Sequence, residues 1–194
     1  MSRRASPVTS TGDSDGMTFK VLAMDDDKVS IEFTVRPLEE GDLPRVLELY
    51  SANMANILAG VEPIDALRSI TDSGSAQKHE AWIVETSGTV IGLAMVVVER
   101  DSCVHLKLLC VAADAPKRQQ IVRDLAEMVM RYTWESGGTK LIVHTALPAG
   151  CFIDLMHAFG FDFSRERDAG DQHVVEFYRN LYERPPAGLD TARR

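Results

Sequence analysis

Between Glu80 and Val111 three aliphatic stretches follow one another with only two short breaks, and no other feature limits the fold as much. Ala81-Trp82-Ile83-Val84-Glu85, Val90 to Val98 and Cys103 to Val111 are rich in aliphatic, often β-branched, residues and read as strands, with turns at Ser87-Gly88 and Asp101-Ser102. The spacing predicts three antiparallel strands in sequence. The period then changes. Pro116 is expected to open a helix lined on one face by Ile121, Leu125, Met128, Val129 and Tyr132 and closed by Gly137-Gly138. Leu141-Ile142-Val143 follows as a strand buried on both sides, as expected where a helical crossover returns the chain parallel to a strand it left.

The flanks fit around this centre. Ile31, Phe33 and Val35 alternate with Glu32, Thr34 and Arg36, the period of a half-buried strand. Asp42 is placed to cap a helix with Pro44 in its first turn, followed by Leu43, Val46, Leu47, Tyr50 and Met54 at helical spacing. A second short helix is expected at 63–70, after Pro63. Beyond the crossover, Phe152, Leu155, Met156 and Phe159 predict a short helix stopped by Gly160, and 161–167 with 173–182 a closing hairpin about Gly170-Asp171. Residues 1–16, rich in Ser, Thr, Gly and Asp, read as a disordered tail, and 184–194, beginning Arg184-Pro185-Pro186, as a flexible one. One folded domain at 17–183 remains.

The formal charge is −8 over 194 residues; the two tails contribute 0 and +2, leaving −10 on the body. Nucleic-acid binding draws on a basic surface, so a nucleic-acid partner is not expected, whereas a cationic or neutral amine suits this body. No apolar run approaches the ~20 residues that span a bilayer, and Met1 to Ser10 has no apolar core. The expectation is a cytoplasmic chain with no membrane partner. Cys103, Cys110 and Cys151 have neither CxxC spacing nor an even number, so neither a disulfide framework nor a zinc site is expected.

The order strand, helix, helix, three antiparallel strands, long helix, parallel strand, short helix, closing hairpin resembles the GNAT-type N-acyltransferases over about 31–182. Val35-Arg36-Pro37-Leu38 before an Asp-capped helix looks like the family's opening, Thr89-Val90-Ile91-Gly92 like its strand-two-to-three hairpin, and Phe159-Gly160-Phe161 like the end of its last helix. The resemblance implies an α+β, three-layer fold: a mixed, mostly antiparallel sheet, a central parallel strand pair that splays, and helices on both faces. It also implies transfer of an acetyl group from acetyl-CoA to a small-molecule or peptide amine by direct attack, with no metal, and leaves room for a homodimer.

The family's helix usually opens with an Arg or Gln followed by Gly-x-Gly, a cradle of free N–H groups for a pyrophosphate. Anchoring on Ile121 and Leu125 puts Lys117 at the basic position and Gln120 and Val122 at the glycines. The resemblance then places the pyrophosphate along Lys117, Arg118, Gln119, Gln120, Ile121 and Val122, with Gln120 and Val122 crowding it, and the pantetheine beside Leu109, Cys110 and Val111. The usual carboxylate base on the fourth strand and tyrosine acid in the last helix are absent, since the matching positions hold Val104-His105-Leu106-Lys107-Leu108 and Met156. His105 and His157 are the nearest replacements as proton carriers, with His144 a third. Glu85 and Glu99 are candidates for holding an amine. Loss of the glycines and of both usual groups favours an alternative, a catalytically impaired binding or regulatory module, with or without a CoA ligand.

Overall fold

Short turns fix most of the sheet. The computed structural model describes residues 9–10, 19–23, 31–53, 78–99, 101–146, 150–169 and 172–181. Along these the chain runs β1 (Thr9–Ser10), β2 (Phe19–Ala23), β3 (Ile31–Pro37), α1 (Leu43–Ala52), β4 (Lys78–Thr86), β5 (Thr89–Val98), β6 (Cys103–Val111), α2 (Arg118–Glu135), β7 (Lys140–Ala146), α3 (Gly150–Ala158), β8 (Asp162–Ala169) and β9 (Gln172–Asn180). The strands make one sheet in the order β1-β2-β3-β4-β5-β6-β7-β9-β8, antiparallel throughout except for β6 and β7. The helix expected at 63–70 and the 184–194 tail lie outside the described residues. Within 1–16, Thr9 and Ser10 pair with Lys20 and Phe19.

The expected hairpin at Ser87-Gly88 has positive φ at both positions, 49° and 79°, the type I′ geometry whose twist matches the flanking strands. It sets Thr86 opposite Thr89. β5 is buried at every position from Val90 to Val97, so both of its faces are covered, and it touches both α1 and α2. Helices therefore lie on both sides of the sheet, in three layers.

Asp42 does not cap α1. Winding begins earlier, in a 3-10 turn at Glu40–Asp42, and Asp42 is already helical when α1 starts. Its carboxylate instead accepts the Glu39 N–H (3.0 Å) and two bonds from the Arg36 guanidinium (2.6 and 2.7 Å), while Arg36 and Arg45 also bond Glu85 on β4. The Arg36 bonds are the largest influence on Asp42 and hold its carboxyl below the usual range against the opposing cost of burial.

α2 begins at Arg118, two residues after Pro116, with Lys117 turned into the left-handed region at φ 53°. Its buried stripe is wider than the expected one, taking in Val122, Ala126, Met130 and Thr133 beside Ile121, Leu125 and Val129, because a helix lying on a sheet buries more than a single seam. The crossover then brings β7 parallel to β6 as expected, but only from Cys103–Lys140 to Leu106–Val143. At that point Lys107 is an extra residue in β6, since Leu106 and Leu108 face consecutive residues Val96 and Met95. Such a bulge bends its strand. Beyond it β6 runs on to Val111 beside β5, and β7 to Ala146 beside β9, with no pairing between them. A wedge thus opens inside the sheet.

Candidate active site

The register assigns each side chain to a face, because residues directly opposite share one face and successive residues alternate. Val143 faces Phe177, and Leu141 faces Arg179, which reaches Met130 of α2 and the Phe159 carbonyl. This is the face covered by α2. His105 lies opposite Ile142, and His144 opposite Glu176, on the other face.

The wedge presents backbone. Leu109, Cys110 and Val111 are fully buried, so a ligand lying there would meet the free inner edge of β6 rather than these side chains. Burial pushes the Cys110 thiol up to about 11, with Arg118 opposing, which removes it as a nucleophile near neutrality. At the mouth of the wedge stands the start of α2. Gln120 and Ile121 already donate their N–H groups to the Lys117 carbonyl (2.8 and 3.2 Å), so only the amides of 118 and 119 precede the helix's own bonding. Ile121 and Val122 point into the core, at 3% and 5% exposure. Val122 therefore does not crowd a cradle; it packs under it. Gln120 lies outside and bonds Asp124 (2.7 Å), while Arg118 turns back so that its Nε donates to the Val111 carbonyl (3.3 Å). Asn53, just beyond α1, ties this mouth down: its side-chain oxygen accepts the Ala113 N–H and its amide donates to the Leu49 carbonyl, each at 2.9 Å. Its place six residues after Leu47, where the helix ends, gave no hint of a contact with residue 113.

The apex of the wedge carries the titratable groups. His105 Nε2 is 3.4 Å from Glu99, its ring is 5.9 Å from that of His144, and His144 Nε2 is 3.0 Å from Glu176, which also accepts from Ser164 (2.8 Å) and Arg165 (3.2 Å). The two histidines favoured by the sequence are not brought together. His157 is exposed and stacks edge-on against Phe177, on the face covered by α2, with the sheet between it and His105. Glu85 is held by two arginines, one on each oxygen; Glu99 stands beside His105. Met156, where the family's tyrosine would fall, is 1% exposed and belongs to the core. Among the described residues no three His, Cys, Asp or Glu side chains gather so as to hold a metal ion, and no helix is long and apolar enough to cross a membrane. A cavity of about 370 Å³ lies apart from the wedge, between the second half of α2, the end of α3 and Arg179.

The chain matches no protein-family model and none of the curated proteins. Solved structures do match it. The ribosomal-protein-S18-alanine N-acetyltransferase of Escherichia coli is 17% identical, covering 77% of this chain and 94% of its own, with a TM-score of 0.61. A mutant spermidine N-acetyltransferase of Vibrio cholerae is 18% identical over 78% and 95%, with a TM-score of 0.59. A probable acetyltransferase of Staphylococcus epidermidis is 13% identical over 76% and 98%, with a TM-score of 0.63. With its splayed parallel pair, crossover helix and flanking antiparallel strands, this chain has the fold of the GNAT-type N-acetyltransferases.

Proposed function

We propose that the protein is an N-acyltransferase that carries an acetyl group from acetyl-CoA to an amine by direct attack. The observation that carries this reading is the wedge. An extended thioester arm can add to the free edge of β6 as an extra strand would, its phosphates toward the α2 start and its acyl carbon toward the apex. The residues at the mouth fit such a donor in part: Lys117 and Arg118 bring positive charge and the first two amides precede the helix's own bonding, while Gln119 and Gln120 are the side chains left outside. At the apex, His105 is the proton acceptor of this reading; His157, on the other face, is not part of it. The acceptor would be a small-molecule or peptide amine, in keeping with the negative body.

Two measurements test the proposal together. Acetyl-CoA at 100 times its Kd should raise stability by about 2.7 kcal/mol, seen as a rise in Tm. Free thiol should then appear when a panel of amines is added. A rise in Tm without thiol from any amine would favour the other reading, a module that binds the donor and does not turn it over.

A further inference from the structure

Glu99, His105, His144 and Glu176 stand in a row across the apex of the wedge. His105 lies on β6 just before the last parallel pair, Leu106–Val143, and His144 on β7 just after it, so the rings flank the opening from its two edges. We propose that these histidines divide the proton transfers of the reaction between them, His105 accepting the proton of the attacking amine and His144 supplying one to the departing thiolate. The proposal deepens the acyltransferase reading and rests on it.

Their surroundings differ in the direction this division needs. Burial is the largest influence on His105 and lowers it below its ordinary value; Glu99 and Glu176 oppose this, and Lys107 and His144 add to it. In the tautomer with its proton on Nε2, 3.4 Å from the Glu99 carboxylate, Nδ1 keeps its lone pair, and this buried atom has no hydrogen-bond partner among the described residues. A neutral imidazole with an unoccupied lone pair is a base. His144 instead faces a carboxylate that stays ionised. Burial alone would raise Glu176, but hydrogen bonds with His144, Ser164 and Arg165 outweigh it and bring it to about 2. An ionised carboxylate 3.0 Å from Nε2 favours the imidazolium, the form that can give a proton, while Arg165, 3.2 Å from the same Glu176 oxygen, opposes it from an exposed side chain. Two titratable groups whose environments separate them in this way take the acid and base roles.

The step balances. The amine nitrogen bonds to the acyl carbon as the carbon–sulfur bond breaks; the N–H proton passes to His105 and the sulfur takes the proton of His144. Proton exchange between the two rings, directly or through water, restores the starting state. Glu176 is then a positioning residue, acting through His144.

NMR titration of the imidazoles in the free, full-length protein reads the division without any turnover. His144 should hold its proton to a higher pH than His105, and the gap should narrow in Glu176→Gln. With acetyl-CoA and an amine that supports turnover, kcat against pH should be bell-shaped. Glu176→Gln should bring the alkaline limb to lower pH and lower kcat about tenfold or more, with the KM for acetyl-CoA within about twofold, while Glu176→Asp retains most of the rate. His105→Ala should remove the acidic limb. Retention of the acetyl-CoA rise in Tm shows that each variant is folded. His144 titrating below His105, or an alkaline limb unmoved in Glu176→Gln, overturns the division while wild-type turnover stands. Absence of turnover with every amine in the wild type overturns the acyltransferase reading and the division with it.

Discussion

Val122 is one position where a glycine would be expected to loosen the start of a helix and where this chain has a core side chain instead. Val122→Gly should therefore cost about 3 kcal/mol, from the lost burial and from glycine's poor helix propensity, and lower Tm whatever it does to donor binding. Gln120→Gly, at an exposed position, is the substitution that opens the cradle without touching the core. The distinction was hidden in the sequence because Ile121, Leu125 and Val129 already made a complete stripe; only the second series, Val122, Ala126, Met130 and Thr133, shows that the helix lies on a sheet. Asp42 was legible as a residue with a capping task but not as the hub of Arg36, Arg45 and Glu85, since Glu85 is 43 positions away. Asp42→Ala leaves two arginines sharing Glu85 alone and the Glu39 amide without its acceptor, so urea denaturation should find a loss of about 2 kcal/mol.

At the scale of elements, the three-strand run, the crossover and the closing hairpin could be read from period and turns, because a two-residue loop and a right-handed crossover leave few arrangements. The bulge at Lys107 could not, since Val104, Leu106 and Leu108 go on alternating with polar residues straight through the point where the faces switch. Lys117 was equally silent. A lysine in the left-handed region costs about 1–2 kcal/mol that glycine does not pay. Allowing for glycine's greater freedom in the unfolded chain, Lys117→Gly should be stabilising by about 0.5–1 kcal/mol. The same substitution removes a cation from the mouth of the wedge. Calorimetry with acetyl-CoA should thus find weaker binding to a more stable protein, whereas a bystander lysine would leave affinity unchanged.

For the molecule as a whole, stability should respond to acid in two stages. His105, Asp42, Glu85 and Glu176 all titrate lower in the folded chain than their ordinary values. The unfolded chain therefore binds protons first, and each group contributes stability above its unfolded value that is lost as pH falls through its folded one. Denaturant midpoints should begin to drop below about pH 6.5, the reference value for histidine, and drop more steeply from about 4 towards 2 as the carboxylates protonate. His79, which burial also lowers, adds to the first stage, so a curve flat from pH 7 to 4 would mean that neither histidine carries such a bias. The interrupted pairing of β6 and β7 has one further consequence, in the time domain. β5 has neighbours on both sides from Gly92 to Val98, but the inner amides of residues 107–111 on β6 face an opening within the sheet. They should exchange with deuterium faster than those of β5 although the side chains of residues 108–111 are fully buried. A bound thioester arm that pairs with this edge would slow that exchange, so protection at 107–111 on adding acetyl-CoA reports the sheet being completed by its substrate.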